Sequence, residues 1–140
     1  MSNIVVGWQN LEPRLRSLLR FVASFTFMLH GTMKLFAFPA GMGKGGTVSL
    51  VSQMGLAGIL EAFGGGLMFL GLFTRPVAFI LSGEMAVAFF QAHFPRSVWP
   101  IISGGELAMV YCFIWLYFSA AGPGPWSLDA ILKRGPNRKS

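Results

Sequence analysis

The 140-residue chain has only five acidic residues, and three of them, Glu61, Glu84 and Glu106, lie inside long apolar runs. His30 and Lys34 fall in another such run, and His93 closes the run that holds Glu84. An ionisable group in hydrocarbon costs at least ~2.5–3.5 kcal/mol on the insertion scale. Groups kept at that cost are expected to face a protein interior or a cavity, and by default they mark a functional site. His30 and Lys34 stand at i and i+4, so they share one helical face. Small residues flank two of the acids: Gly58, Ala62 and Gly66 accompany Glu61, while Gly104 and Ala108 bracket Glu106. Such residues let helices approach closely, which opens a Lys34–Glu61 or a Lys34–Glu106 ion pair. Three ionised glutamates would outnumber Lys34, the one permanent cation of the set. An unpaired buried charge tends to neutralise itself, so a protonated Glu or a charged His is expected. A set of this kind can move protons, donate to a carbonyl and hold developing negative charge.

Plainer roles compete with that one. The same Lys, Glu and His residues could lock helix register, although interhelical polar contacts average only ~0.6 kcal/mol and are poor stabilisers. Glu84 stands apart and could pair with a partner subunit. Cys112 reads as a small apolar filler. His30 and His93 raise the question of haem, but their estimated depths differ by ~6 Å, which disfavours bis-His ligation.

The elements that must position these residues follow from composition. Hydrophobic residues make up 54% of the chain and charged residues 11%, against about 25% charged in soluble domains. That hydrophobicity excludes intrinsic disorder. The single cysteine excludes a disulfide scaffold, a Cys-type zinc site and a Cys-x-x-Cys redox centre. Four apolar blocks, at residues 17–38, 51–73, 76–94 and 100–121, each approach the ~20 residues that span hydrocarbon. Gly- and Pro-rich breaks separate them. Backbone in lipid must satisfy itself, so all four are expected to be helices. The fold expected is an all-α membrane protein, a bundle of four transmembrane helices.

The formal net charge of +6 sits between the apolar blocks rather than along one polar face, which points to membrane orientation and not to nucleic acid. Arg14, Arg16, Arg20, Arg75, Lys133, Arg134, Arg138 and Lys139 would share one side, and Lys44 and Arg96 the other. The positive-inside rule then places both termini in the cytoplasm. The first block lacks a small-residue cleavage site and reads as an uncleaved helix. Residues 1–13 form a cytoplasmic segment, 14–132 the transmembrane domain and 133–140 a basic tail. Near the C-terminus, Ser127 could cap a short interfacial helix, and residues 135–140 are expected to be disordered. Counted at ~1.5 Å per residue from the presumed cytoplasmic ends, His30, Glu61 and Glu106 lie ~20–22 Å up, Lys34 and His93 ~26 Å, and Glu84 ~12 Å.

The motif His30-Gly31-x-x-Lys34-Leu35-Phe36 resembles the first-helix signature of the DoxX family. Glu61-x-x-Gly64-Gly65 followed by Leu70-Gly71-Leu72-Phe73-Thr74-Arg75 resembles its second helix and turn. Gly104-Gly105-Glu106-Leu107-Ala108 resembles the start of its fourth helix, and Gly122-Pro123-Gly124-Pro125-Trp126-Ser127-Leu128-Asp129 its end. The resemblance covers residues 14–132. It implies a four-helix, multi-pass protein of the bacterial or archaeal plasma membrane. It also implies an oxidoreductase label, often quinone-linked, since the family is named after its likeness to a subunit of thiosulfate:quinone oxidoreductase.

Together these readings give a quinone-linked membrane oxidoreductase subunit. His30 would hydrogen-bond a quinone carbonyl, Lys34 would stabilise negative charge, and Glu61 or Glu106 would relay protons, with His93 near the ring. No flavin, haem or iron–sulfur motif is present in the sequence, so a redox partner subunit would bring the electrons. The lipid bilayer and a second copy of the chain are the other expected partners. The alternatives are an accessory or assembly subunit and, further off, a small proton or anion carrier.

Overall fold

The computed structural model describes residues 3–43 and 45–133. A short helix α1 (Asn3–Gln9) precedes α2 (Glu12–Phe36), which runs 25 residues with a proline in its first turn. That position suits proline, whose missing N–H would have no helical partner anyway. Next, α3 (Gln53–Ile59), a π-helical turn (Leu60–Gly64) and α4 (Gly65–Leu70) form one continuous 18-residue rod. Ser52 caps the rod, its hydroxyl oxygen accepting the Gly55 N–H at 3.0 Å. The rod stops at Gly71, whose φ of 68° is the left-handed turn glycine tolerates. Then α5 (Thr74–Ala88) passes into a second π-helical turn (Phe89–His93). The chain finishes with α6 (Pro100–Ser103), α7 (Glu106–Ala121) and α8 (Leu128–Lys133).

The all-α expectation holds for the described residues, in which Met42 and Gly46 form only an isolated bridge. By length and composition one helix, Gln53–Leu70, is apolar enough to cross a membrane, and the apolar α7 is shorter. The fourth apolar block is not one helix, contrary to expectation. Gly104 takes φ 76° and ends α6, so α7 starts at Glu106. Hydropathy runs straight through such a break because it carries no information about φ. Lys44, Arg134, Arg138, Lys139 and the disorder expected for residues 135–140 lie outside the described residues.

Two packings build the body: α2 lies along the rod, and α5 lies along α7. They meet in a core of Phe27, Met68, Leu81, Tyr111, Trp115 and Phe118. Phe27 stands edge-on to Tyr111 at 5.0 Å and to Trp115 at 5.2 Å, a favoured aromatic arrangement. The α2–rod crossing is closest at Gly31. A Cβ there would collide with the Ala62 nitrogen and lie 2.7 Å from the Gly58 oxygen. Gly31→Ala must therefore push the two backbones apart and is expected to cost ~1–3 kcal/mol. Thermal unfolding in detergent should show the loss, while Gly83→Ala, which enters open space inside α5, should leave the midpoint no lower, because alanine is the better helix former.

Three arginines bind the end of α7 and the loop after it. Arg16 donates to the Ala121 carbonyl at 2.5 Å, and Arg75 donates to those of Ala120 and Ser119. Arg20 is fully buried. Its guanidinium donates to the carbonyls of Met68 at 2.9 Å, Pro123 at 2.8 Å and Trp126 at 2.5 Å. All three satisfy carbonyls at or just after helix ends, where cations also complement the helix dipole, and Arg75 stays exposed while doing so.

Asp129 closes the same end from the other direction. Its two carboxylate oxygens accept the N–H groups of Phe73 and Thr74, each at 2.9 Å, at the start of α5. Ser127 caps α8 as expected, accepting the Ala130 N–H at 3.1 Å. Burial pushes the Asp129 carboxyl up, but the Thr74 and Phe73 hydrogen bonds and the Lys133 charge outweigh it, and the group sits below its ordinary value. A depressed folded-state value means stabilisation that is present above the unfolded value, ~3.9 for Asp, and is lost as pH falls through the folded one. Asp129→Ala is expected to cost ~1 kcal/mol at neutral pH. The gap in thermal midpoint between variant and wild type should narrow as the pH drops below the ordinary carboxylate range.

Candidate functional site

Lys34 lies in the last turn of α2, and Glu61 in the first π-helical turn, where α2 and the rod cross. Glycines at the crossing bring the two side chains together. The Lys34 ammonium donates to both Glu61 carboxylate oxygens, at 2.7 and 2.6 Å. Glu61 is only 4% exposed. A π-helical turn carries an extra residue per turn and occurs frequently at functional sites. Here it carries the buried acid.

The pair lines a cleft of about 430 Å³ between the rod, α5 and the end of α2. Glu84 of α5 lines it too. Both its carboxylate oxygens are shielded from solvent, and neither has a hydrogen-bond partner among the described residues. The walls between are apolar, with Met54, Leu56, Leu60, Ile80 and Val87 among them. Gln53 begins the rod and Gln91 lies in the second π-helical turn; the Gln53 amide donates to the Gln91 carbonyl across the cleft. The cleft thus holds a neutralised ion pair, one unpartnered carboxyl and an amide bridge in an otherwise apolar groove. Such a groove can orient a polar ring, hold one of its oxygens and exchange a proton.

The family profile of DoxX matches residues 15–94, more than half of the chain. This chain belongs to the DoxX family. A protein of Haemophilus influenzae, named only as an uncharacterized protein, is 43% identical over 126 residues, covering 86% of this chain and 94% of its own length. No solved structure matches this chain. DoxX proteins are membrane-associated, and every residue lining the cleft lies inside the DoxX span.

Of the two pairings open to Lys34, the DoxX fold forms the one with Glu61. Glu106 is exposed in the first turn of α7 and does not line the cleft. His30 is exposed and meets the edge of the Tyr111 ring, 6.4 Å between centroids. Although it is i−4 to Lys34, it turns toward α7 while Lys34 turns toward the rod. His93 sits with Nδ1 3.2 Å from the Ser103 carbonyl; that oxygen only accepts, so Nδ1 carries the proton. Neither histidine lines the cleft.

Glu84, Gln53 and Gln91 are the cleft residues that sequence reasoning does not place at the site. Helix ends explain the first. The rod stops at Leu70, and the turn to Thr74 is not helical. Counted from Leu70 and Thr74, Glu61 and Glu84 lie ~14 and ~15 Å up, in one layer. Counting the turn as helix separates them.

Proposed function

We propose that this DoxX protein is a quinone-linked oxidoreductase subunit of the bacterial or archaeal plasma membrane, with its ligand in the Lys34–Glu61–Glu84 cleft. The observation that carries the reading is the shielded, unpartnered Glu84 carboxyl beside a neutralised ion pair in an apolar groove. The four long helical stretches are read as transmembrane, with both termini in the cytoplasm. The large exposed apolar side chains on all four, such as Phe25, Phe63, Phe79 and Phe113, support lipid as their surroundings. Trp99 and Trp126, both exposed, suit interfacial positions.

A quinone, when bound, carries electrons and protons together. The residues present fit such a ring. Lys34 spends two N–H bonds on Glu61 and keeps a third to donate to a ligand oxygen. Glu61 fixes the ammonium in place. Apolar walls exclude water and strengthen both interactions. Electrons come from a redox partner subunit.

The test is Glu61→Gln in native membranes. Quinone-dependent turnover should fall by about 10²-fold or more, as for loss of a proton-transfer group or its positioner. Unchanged turnover removes Glu61 from the mechanism. Turnover that falls only because the protein no longer assembles supports the accessory-subunit reading, which the Lys34–Glu61 tie between α2 and the rod favours. Native mass spectrometry of the gently extracted protein should show a bound quinone mass or a co-purifying redox subunit.

A further inference from the structure

Lys34 and Glu61 satisfy one another at 2.6–2.7 Å, and their charges cancel. Glu84 has no share in that arrangement. Among the described residues, Lys34 and Glu61 are the other charged groups lining the cleft, and Gln53 and Gln91 are its neutral polar ones. A carboxyl so placed carries either a proton or an uncompensated charge, and a medium of low dielectric favours the proton. The neutral acid offers one O–H donor and retains acceptor capacity, and the ionised form only accepts. Both forms have a use against a ligand oxygen that alternates between carbonyl and hydroxyl.

We infer that Glu84 is the proton-exchanging residue of the cleft, its acid O–H bonding a ligand carbonyl and its carboxylate receiving the same oxygen as a hydroxyl. The inference rests on the quinone reading above. In the forward step the Glu84 O–H bond breaks and an O–H bond forms on the ligand oxygen. The electrons for that oxygen come from the flavin, haem or iron–sulfur group of a partner subunit, or from an electrode in vitro. Lys34 lines the same cleft, so the positive charge that Glu61 neutralises is shared by two acids while the proton is away. The proton returns to Glu84 from solvent at the mouth of the cleft, where Gln53 and Gln91 are exposed.

The experiment needs no partner subunit. The full-length protein in nanodiscs is loaded with decylubiquinone and cycled at an electrode while infrared difference spectra are recorded. A carboxylic-acid band that shifts in D₂O is expected, absent in Glu84→Gln and retained in Glu106→Gln. Glu84→Gln should weaken binding of the reduced form about tenfold or more, the loss of one hydrogen bond to a charged acceptor. It should leave the oxidised form within about twofold, because the amide still donates to a carbonyl. A band that persists in Glu84→Gln, or no carboxyl band despite saturable binding, overturns the role of Glu84 and leaves the quinone reading standing. No saturable binding of decylubiquinone to the wild type overturns both. Should Glu84→Gln fail to fold, Glu84→Asp must shift the band, and an unshifted band counts against the assignment.

Discussion

Arg20→Met is expected to be the most destabilising single substitution in the protein. Its three donors go to carbonyls contributed by α4 and by the loop after α7. Removing the guanidinium leaves the Pro123 and Trp126 oxygens without partners, at ~1–3 kcal/mol each where water cannot replace the donor, while the Met68 oxygen keeps the Gly71 N–H at 3.1 Å. A total of ~3–5 kcal/mol is a large fraction of the ~5–15 kcal/mol that holds a domain together. Arg20→Lys should recover little, since a single ammonium cannot reproduce a planar fork spread over three acceptors. Thermal unfolding in detergent, with limited proteolysis as a second readout, measures the loss. Arg14→Ala, at an exposed site, should change neither. A midpoint for Arg20→Met within a degree or two of wild type would show that the clamp is dispensable.

Lys34→Met should follow closely. It leaves the Glu61 carboxylate buried without its cation, and breaking one side of a buried pair costs ~3–5 kcal/mol. Combining it with Glu61→Gln removes the stranded charge. The double variant is expected to regain most of the lost stability, because a buried ion pair repays its own desolvation incompletely. A double-mutant cycle gives the coupling directly. The same protein also separates the two readings of the pair. A register lock predicts that the stable double variant works; a catalytic pair predicts a stable protein with no quinone turnover.

Much of this architecture is legible in the residues. The apolar blocks at 17–38, 51–73 and 76–94 correspond to α2, the rod, and α5 with its π-helical turn, because chain length and apolar content decide where a helix is worth forming. That Lys34 meets an acid at a close crossing is also legible, although small residues flank Glu106 as well as Glu61 and leave the choice between them open. Three things are not. The break at Gly104 depends on a backbone angle that hydropathy does not register. The direction of His30 depends on which neighbour fills the space beside it, here the Tyr111 ring. Glu84 shares a layer with Glu61 only because the turn after Leu70 leaves the helix early, and a few residues of error in a helix end displace a side chain by a full turn. The arginines show the same limit in another form. Composition says that they are positive, but not that Arg16, Arg20 and Arg75 are already engaged by carbonyls far along the chain.

That last arrangement bears on the order in which the protein is made. The acceptors of Arg20 lie 48, 103 and 106 residues further along the chain. The first long helix therefore leaves the ribosome with a guanidinium that has nothing to hold, and its last two partners follow 103 and 106 residues later. Until Trp126 emerges, α2 cannot settle in its finished position at no cost, and a chain cut short before residue 122 never can. The clamp makes emergence of the loop after α7 a condition for commitment of α2, and chains that lack that loop stay distinguishable from those that have it by an exposed arginine.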